Sequence, residues 1–163
     1  MTGDVVLREV READLPIFFA QQLDPAANFM AAFTARDPAD QEAFLAHWGR
    51  VLGDVSNINR TILCDGQVAG NIACYQDELG RPEVAYWIGK EYWGQGIATR
   101  ALAALLAQVR QRPLYARVAK DNLASRRVLE KCGFATCGED KGYANARGEE
   151  VEEYLLRLDS IEG

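Results

Sequence analysis

The segment Tyr86-Trp87-Ile88-Gly89-Lys90-Glu91-Tyr92-Trp93-Gly94-Gln95-Gly96-Ile97-Ala98-Thr99-Arg100 constrains this chain more than any other. Glu83 to Gly89, opened by Pro82, is apolar and aromatic and reads as a strand. Ile97 to Gln111 is apolar on most sides and reads as a well-buried helix. The loop between them carries Gly94 and Gly96. A helix start leaves backbone N–H groups without partners and carries partial positive charge, so anions collect there. Glycine has no Cβ to hold a bulky phosphate away from the backbone. A pyrophosphate ligand therefore fits Gly94, Gln95, Gly96, Ile97, Ala98 and Thr99. A dinucleotide fingerprint would need glycine where Thr99 stands, and an acidic residue about 20 positions further on. The Gly-Lys-Ser/Thr of a nucleotidase loop is absent. Alone, the loop reads best as a tight strand–helix turn with glycines for packing.

The rest of the chain supplies a frame of alternating elements. Val5 to Val10 is a first strand, and Asp14 caps a helix through Ala20 and Gln21. Leu23 to Arg36 has no clear period. Asp37-Pro38 places an acceptor and a proline at a helix start, with Phe44, Leu45, Trp48, Val51 and Leu52 on one face. Asn59 to Cys64 and Gln67 to Tyr75 are strands joined by Asp65-Gly66, a two-residue hairpin signal. Gly70 marks a bulge or a close backbone approach. Leu114 to Ala119 is a strand, Asn122 to Cys132 a helix stopped by Gly133, and Phe134 to Cys137 and Val151 to Leu158 are final strands. At 163 residues this predicts one α/β domain over 1–163, with a mixed sheet.

Two segments together carry a resemblance. Trp93-Gly94-Gln95-Gly96-Ile97-Ala98 resembles the pyrophosphate loop of the GCN5-related N-acetyltransferases, Gln/Arg-x-x-Gly-x-Gly/Ala. Asn122-Leu123-Ala124-Ser125-Arg126-Arg127-Val128-Leu129-Glu130-Lys131-Cys132-Gly133-Phe134 is similar to that family's second signature, an Asn-x-x-Ser helix ending in Glu-Lys-x-Gly-Phe. Their order and spacing match the family, and the subgroup they look most like is the ribosomal-protein N-terminal acetyltransferases. The resemblance implies a central, mostly antiparallel twisted sheet flanked by helices. It also implies an acetyltransferase that takes acetyl-coenzyme A and passes the acetyl group to an amine. The implied cofactor contacts are Trp87, Ile88 and Trp93 with the loop, plus Asn122 along the pantetheine arm and Ser125 near the sulfur, where Ser125 is also the catalytic candidate for hydrogen bonding or protonating it. Trp93 stands at the usual Gln/Arg position, and Leu129 stands where many members place a tyrosine that protonates the departing thiolate.

The chemistry narrows the acceptor. A lysine amine is neutral in roughly one molecule in 2,500 at pH 7, an α-amino group in roughly one in ten. A site with a weak base prefers the second. Glu83, at the start of the strand leading into the loop, is the candidate base, its place similar to that of the catalytic glutamate in histone-acetylating relatives; Asp77 and Glu78 are alternatives. Asn28, Phe29, Met30 and Phe33 are candidates for the acceptor wall, with core packing as the equal alternative. A formal net charge of −6 disfavours nucleic acid and favours a cationic partner. Four cysteines without a Cys-x-x-Cys pair, and one histidine, make a zinc site improbable; the cysteines read as reduced residues in or near the core. No apolar run spans a bilayer and Met1-Thr2-Gly3-Asp4 starts no secretory signal, so a cytoplasmic monomer or homodimer is expected. A non-catalytic acyl-coenzyme A sensor on the same fold, or an enzyme using a larger acyl group, are the competing readings.

Overall fold

The computed structural model describes residues 3–159; Met1, Thr2 and residues 160–163 of the expected domain and N-terminus lie outside it. Among the described residues, seven strands form one sheet in the order β1-β2-β3-β4-β5-β7-β6. These are β1 (Val5–Glu9), β2 (Ile58–Cys64), β3 (Gln67–Gln76), β4 (Pro82–Ile88), β5 (Leu114–Ala119), β6 (Ala135–Ala144) and β7 (Glu149–Leu158). The helices are α1 (Leu15–Gln22), α2 (Pro25–Ala31), α3 (Gln41–Gly53), α4 (Ile97–Gln108) and α5 (Leu123–Lys131). Every strand pair is antiparallel except β4 with β5. This is the mixed, mostly antiparallel α/β sheet that the sequence predicts.

Strand alternation sorts the faces. Val84 and Ile88 of β4, and Leu114, Ala116 and Val118 of β5, join Ile97, Ala101, Leu102 and Leu105 of α4 and Leu129 of α5 in the main core. Glu83, Ala85 and Trp87 point to the other face, where α1 and α2 approach β3 and β5. The hairpin forms as expected. Asp65 (φ 51°) and Gly66 (φ 80°) are both left-handed, as a two-residue turn that follows strand twist requires. A Cβ at Gly66 would meet nothing, so Gly66→Ala tests the backbone term alone. Chemical denaturation should register a loss of about 1–2 kcal/mol.

Gly70 answers to a close approach. A Cβ there would lie 2.0 Å from the Trp87 carbonyl oxygen of β4. The bulge falls on its neighbour: Ile62 pairs with Gly70 and Leu63 with Val68, leaving Ala69 unpaired.

Several expectations are corrected. Leu23 to Arg36 is not irregular throughout, because Asp24 caps α2 by accepting from the Ala27 N–H, with Pro25 in the first turn. Asp37-Pro38 does not start a helix. Asp37 closes a turn onto Ala39 and Asp40, and Asp40 caps α3 through the Ala43 N–H. Of the expected α3 face, Phe44 and Trp48 meet Phe18 and Phe19, while Leu45 and Leu52 face solvent. Asp14 precedes α1 without capping it. Its carboxylate accepts instead from Arg8, Thr61 and the Arg11 N–H. Burial works to raise its pKa, but those donors outweigh it and hold it at about 2. α4 ends at Gln108 rather than Gln111, and β6 and β7 are both longer than expected. The cysteines are free thiols, but Cys137 is exposed on β6 and lies away from the core.

Candidate active site

The one parallel pair organises the site. β4 and β5 share a single ladder pair, Glu83 with Tyr115. Beyond it Ala85–Ile88 pairs only with β3, and Ala116–Ala119 only with β7. The facing edges of β4 and β5 therefore leave main-chain groups unclaimed along a split that opens toward the C-terminal ends of both strands. Such an edge is a template for another strand or an amide-bearing ligand. In open sheets, ligands settle beyond the carboxyl ends of parallel strands where the order reverses.

The glycine loop sits at that end. Gly94 (φ 76°) and Gly96 (φ 74°) are both left-handed, and a Cβ on either would touch nothing within 4 Å. Glycine is required there by backbone conformation, and the space above it is open. The N–H groups of Gly94, Gln95, Gly96, Ile97, Ala98 and Thr99 find no acceptor among the described residues. Gly96, as N-cap of α4, has no side chain to supply one. Six successive free donors at a helix start fit a pyrophosphate well. Trp93 bends back, its indole N–H donating to the Ile88 carbonyl at 2.9 Å, and so braces the loop against the end of β4. Trp87, on the opposite face, keeps a buried indole N–H without a partner among the described residues.

The second signature lies across the split. Asn122 caps α5 by accepting from the Ser125 N–H at 3.2 Å and donates to the Met30 carbonyl at 3.3 Å, so its amide is engaged at both ends. Ser125 is half-buried, and its Oγ lies 2.6 Å from the Tyr86 Oη. Leu129, one turn on, is 1% exposed and packed in the main core. Sequence reading did not find Tyr86; it stands 39 residues from Ser125, and no local pattern links a strand tyrosine to a helix serine.

Glu83 is 5% exposed on the face opposite Tyr86 and Ser125. Its Oε1 lies 3.5 Å from Arg117 Nε, and Arg117 also reaches Glu153 at 2.7 Å and Asp140 at 3.3 Å. Burial is the main force on the Glu83 carboxyl and pushes its pKa up; Arg117 opposes it, and Asp77 and Glu153 add to the rise. Tyr75, across the ladder from it, is raised by its own burial and by the Glu83 charge. Of the alternatives, Asp77 is spent on Arg81 and on the N–H groups of Leu79 and Arg81.

The four candidate acceptor residues gather at α2. Phe29 is 50% exposed under the Arg147 guanidinium, which lies 4.1 Å from its ring centre. Arg147 also donates to the Phe29 carbonyl and pairs with Asp121. Phe33 is exposed beside Gly142 of β6. The Asn28 amide is used internally, by the Gln22 carbonyl and Thr34. α2 is thus tied to the β5–α5 and β6–β7 turns, next to the open end of the split.

A family model described as an acetyltransferase (GNAT) domain matches residues 4–135. YdaF of Bacillus subtilis (strain 168), named as a candidate ribosomal N-acetyltransferase, is 32% identical over 143 residues, 80% of this chain and 78% of its own. Mycobacterium smegmatis RimJ, solved in complex with CoA-disulfide, aligns with a TM-score of 0.79 at 24% identity, covering 96% of this chain and 82% of the other. RimL, a ribosomal L7/L12 alpha-N-protein acetyltransferase solved with coenzyme A, aligns with a TM-score of 0.76 at 22% identity, covering 96% of each chain. The chain belongs to the GNAT acetyltransferase family. It is an N-acetyltransferase, and acetyl-coenzyme A is the family's acetyl donor.

Proposed function

We propose that this enzyme acetylates a low-pKa primary amine, a protein N-terminal α-amine or a small-molecule amine, by direct attack in a ternary complex. The observation that carries the reading is the split between β4 and β5, with free loop donors at its mouth and different chemistry on its two faces. Acetyl-coenzyme A, when bound, supplies an activated acetyl carbonyl. Gly94 to Thr99 hold its phosphates through their N–H groups, the open strand edges hold its amide-bearing arm, and Ser125 stands on the sulfur's side. Glu83 stands on the other face, three residues along β4 from Tyr86, a span of about 10 Å. Donor and acceptor thus approach the split from opposite sides, as direct attack requires. Glu83, directly or through a water, takes the proton of the incoming amine. Phe29, Met30 and Phe33 with α2 form the acceptor wall, and the chain's net charge of −6 favours a cationic partner. The reading also places the enzyme in the cytoplasm, as a monomer or homodimer.

Support for an α-amine comes from two sources. A single buried carboxylate is a weak base, which favours amines of pKa near 8 over lysine near 10.4. RimL, with this fold, is named as acting on a protein α-amine. Spermidine N-acetyltransferase from Vibrio cholerae also shares the fold, with a TM-score of 0.79 and 18% identity, which keeps polyamines in the test. The experiment is thiol release from acetyl-coenzyme A over a panel of N-terminal peptides, polyamines and aminoglycosides. Turnover with peptides whose only free amine is the α-amino group is expected, and lysine side chains should be poor. Tight coenzyme A binding with no turnover on any amine would favour the sensor. Faster turnover with longer acyl donors would favour the larger-acyl reading.

A further inference from the structure

Leu129, a hydrocarbon side chain packed in the core, brings no hydroxyl to the sulfur's side of the split. A hydroxyl does arrive there from the sheet. Tyr86 leaves β4 on the α5 face, its ring partly buried against the main core, and its Oη ends 2.6 Å from Ser125 Oγ and 3.2 Å from the Ser125 carbonyl oxygen. The first distance is at the short end for two hydroxyls. Two proton arrangements satisfy this geometry. In one, Ser125 donates to Tyr86 and Tyr86 donates to the Ser125 carbonyl. In the other, Tyr86 donates to Ser125 Oγ, and the serine proton is free to point away from the pair.

We propose that Tyr86 is a positioning residue for Ser125, donating to the serine hydroxyl in the second arrangement so that the serine's own proton is turned to the sulfur of the acyl donor. This rests on the acetyl-transfer reading of the split. The balance is simple. The amine N–C bond forms as the thioester C–S bond breaks, and the electron pair stays on sulfur. The amine proton leaves through the base on the opposite face to solvent.

The tyrosine itself does not give up its proton. Burial is the main cause that pushes its pKa up, to about 12, against a lowering by Ser125 and a further rise from Cys132, the other titratable group acting on it. A thiol titrates at about 8.5, so proton transfer from phenol to thiolate is uphill by on the order of 10³ in equilibrium constant. The pair hydrogen-bonds the leaving thiolate and leaves it unprotonated, which favours hydrogen bonding over protonation as the role of Ser125. Because Tyr86 stays protonated well above the thiol's own pKa, it remains a donor over the whole working range. Its hydroxyl does the orienting that a serine alone, free to rotate, does not.

The test compares calorimetric affinities for coenzyme A and desulfo-coenzyme A between pH 7 and 10, in wild type, Tyr86→Phe, Ser125→Ala and the double variant. In wild type the preference for coenzyme A should grow by about tenfold as the thiol ionises, the gain expected from one unit of pKa lowering in the bound state. Each single variant should lose that gain, the double variant should lose no more, and desulfo-coenzyme A affinity should be equal in all four. Turnover of Tyr86→Phe should fall with the KM for acetyl-coenzyme A unchanged. A Tyr86→Phe protein that keeps the wild-type pH gain, or losses that multiply in the double variant, would overturn the proposal. So would a parallel fall in both affinities, which would make Tyr86 a packing residue. Those outcomes leave the acetyl-transfer reading standing; only a wild type that binds neither ligand removes both.

Discussion

Gly96→Glu is expected to lose acetyl-coenzyme A affinity by at least about 100-fold while remaining folded. Gly96 sits at φ 74°, where an L-residue costs about 1–2 kcal/mol. The side chain has room, because nothing lies within 4 Å of the Cβ position. That same open space is the proposed phosphate seat, so the new carboxylate faces the ligand's negative charge. At about 4 Å and an effective dielectric near 20, one such pair repels by about 4 kcal/mol. Gly96→Ala carries only the backbone strain and a methyl, and should lose about tenfold. Calorimetry separates the two, and undiminished affinity in Gly96→Glu would remove this loop from the donor site.

Glu83→Gln is expected to lower kcat by about 10²–10⁴-fold and to erase the acidic limb of its pH profile. A base works only when deprotonated. Glu83 is raised above the ordinary glutamate value, chiefly by burial, so the wild-type limb should be displaced upward from that value, and kcat should fall as pH drops through it. The substitution keeps shape and leaves Arg117 paired with Glu153 and Asp140. Acetyl-coenzyme A affinity should be unchanged, since Glu83 lies on the other face of the strand. Superimposable profiles would leave Glu83 as a structural partner of Arg117 and nothing more.

What the sequence disclosed follows from how local each signal is. Asp65-Gly66 was legible because a left-handed two-residue turn admits few residue types, and Asn122 to Gly133 because a cap and a stop bracket the helix. Asp24-Pro25 and Asp37-Pro38 are the same dipeptide, yet only the first starts a helix. Asp40 lies close enough to Asp37 to take the α3 cap, and a dipeptide does not say which neighbour wins. The sequence signal for β6 stops at Cys137 because it is an edge strand: Glu139, Asp140 and Lys141 show no apolar alternation where neither face is buried. The loop and α5 signatures mark the proposed donor side. The split itself, the burial of Glu83 against Arg117, and the meeting of Tyr86 with Ser125 all join residues distant in sequence, and only the folded sheet brings them together.

Rapid-quench mass spectrometry of one turnover, with isotope-labelled acetyl-coenzyme A and a peptide bearing a single free α-amine, tests the central claim most directly. Direct attack predicts labelled acetyl on the peptide nitrogen, an equal amount of free coenzyme A, and no labelled protein at any time point. Labelled protein that forms before the acetylated peptide, or coenzyme A release with no acetylated amine, would contradict it.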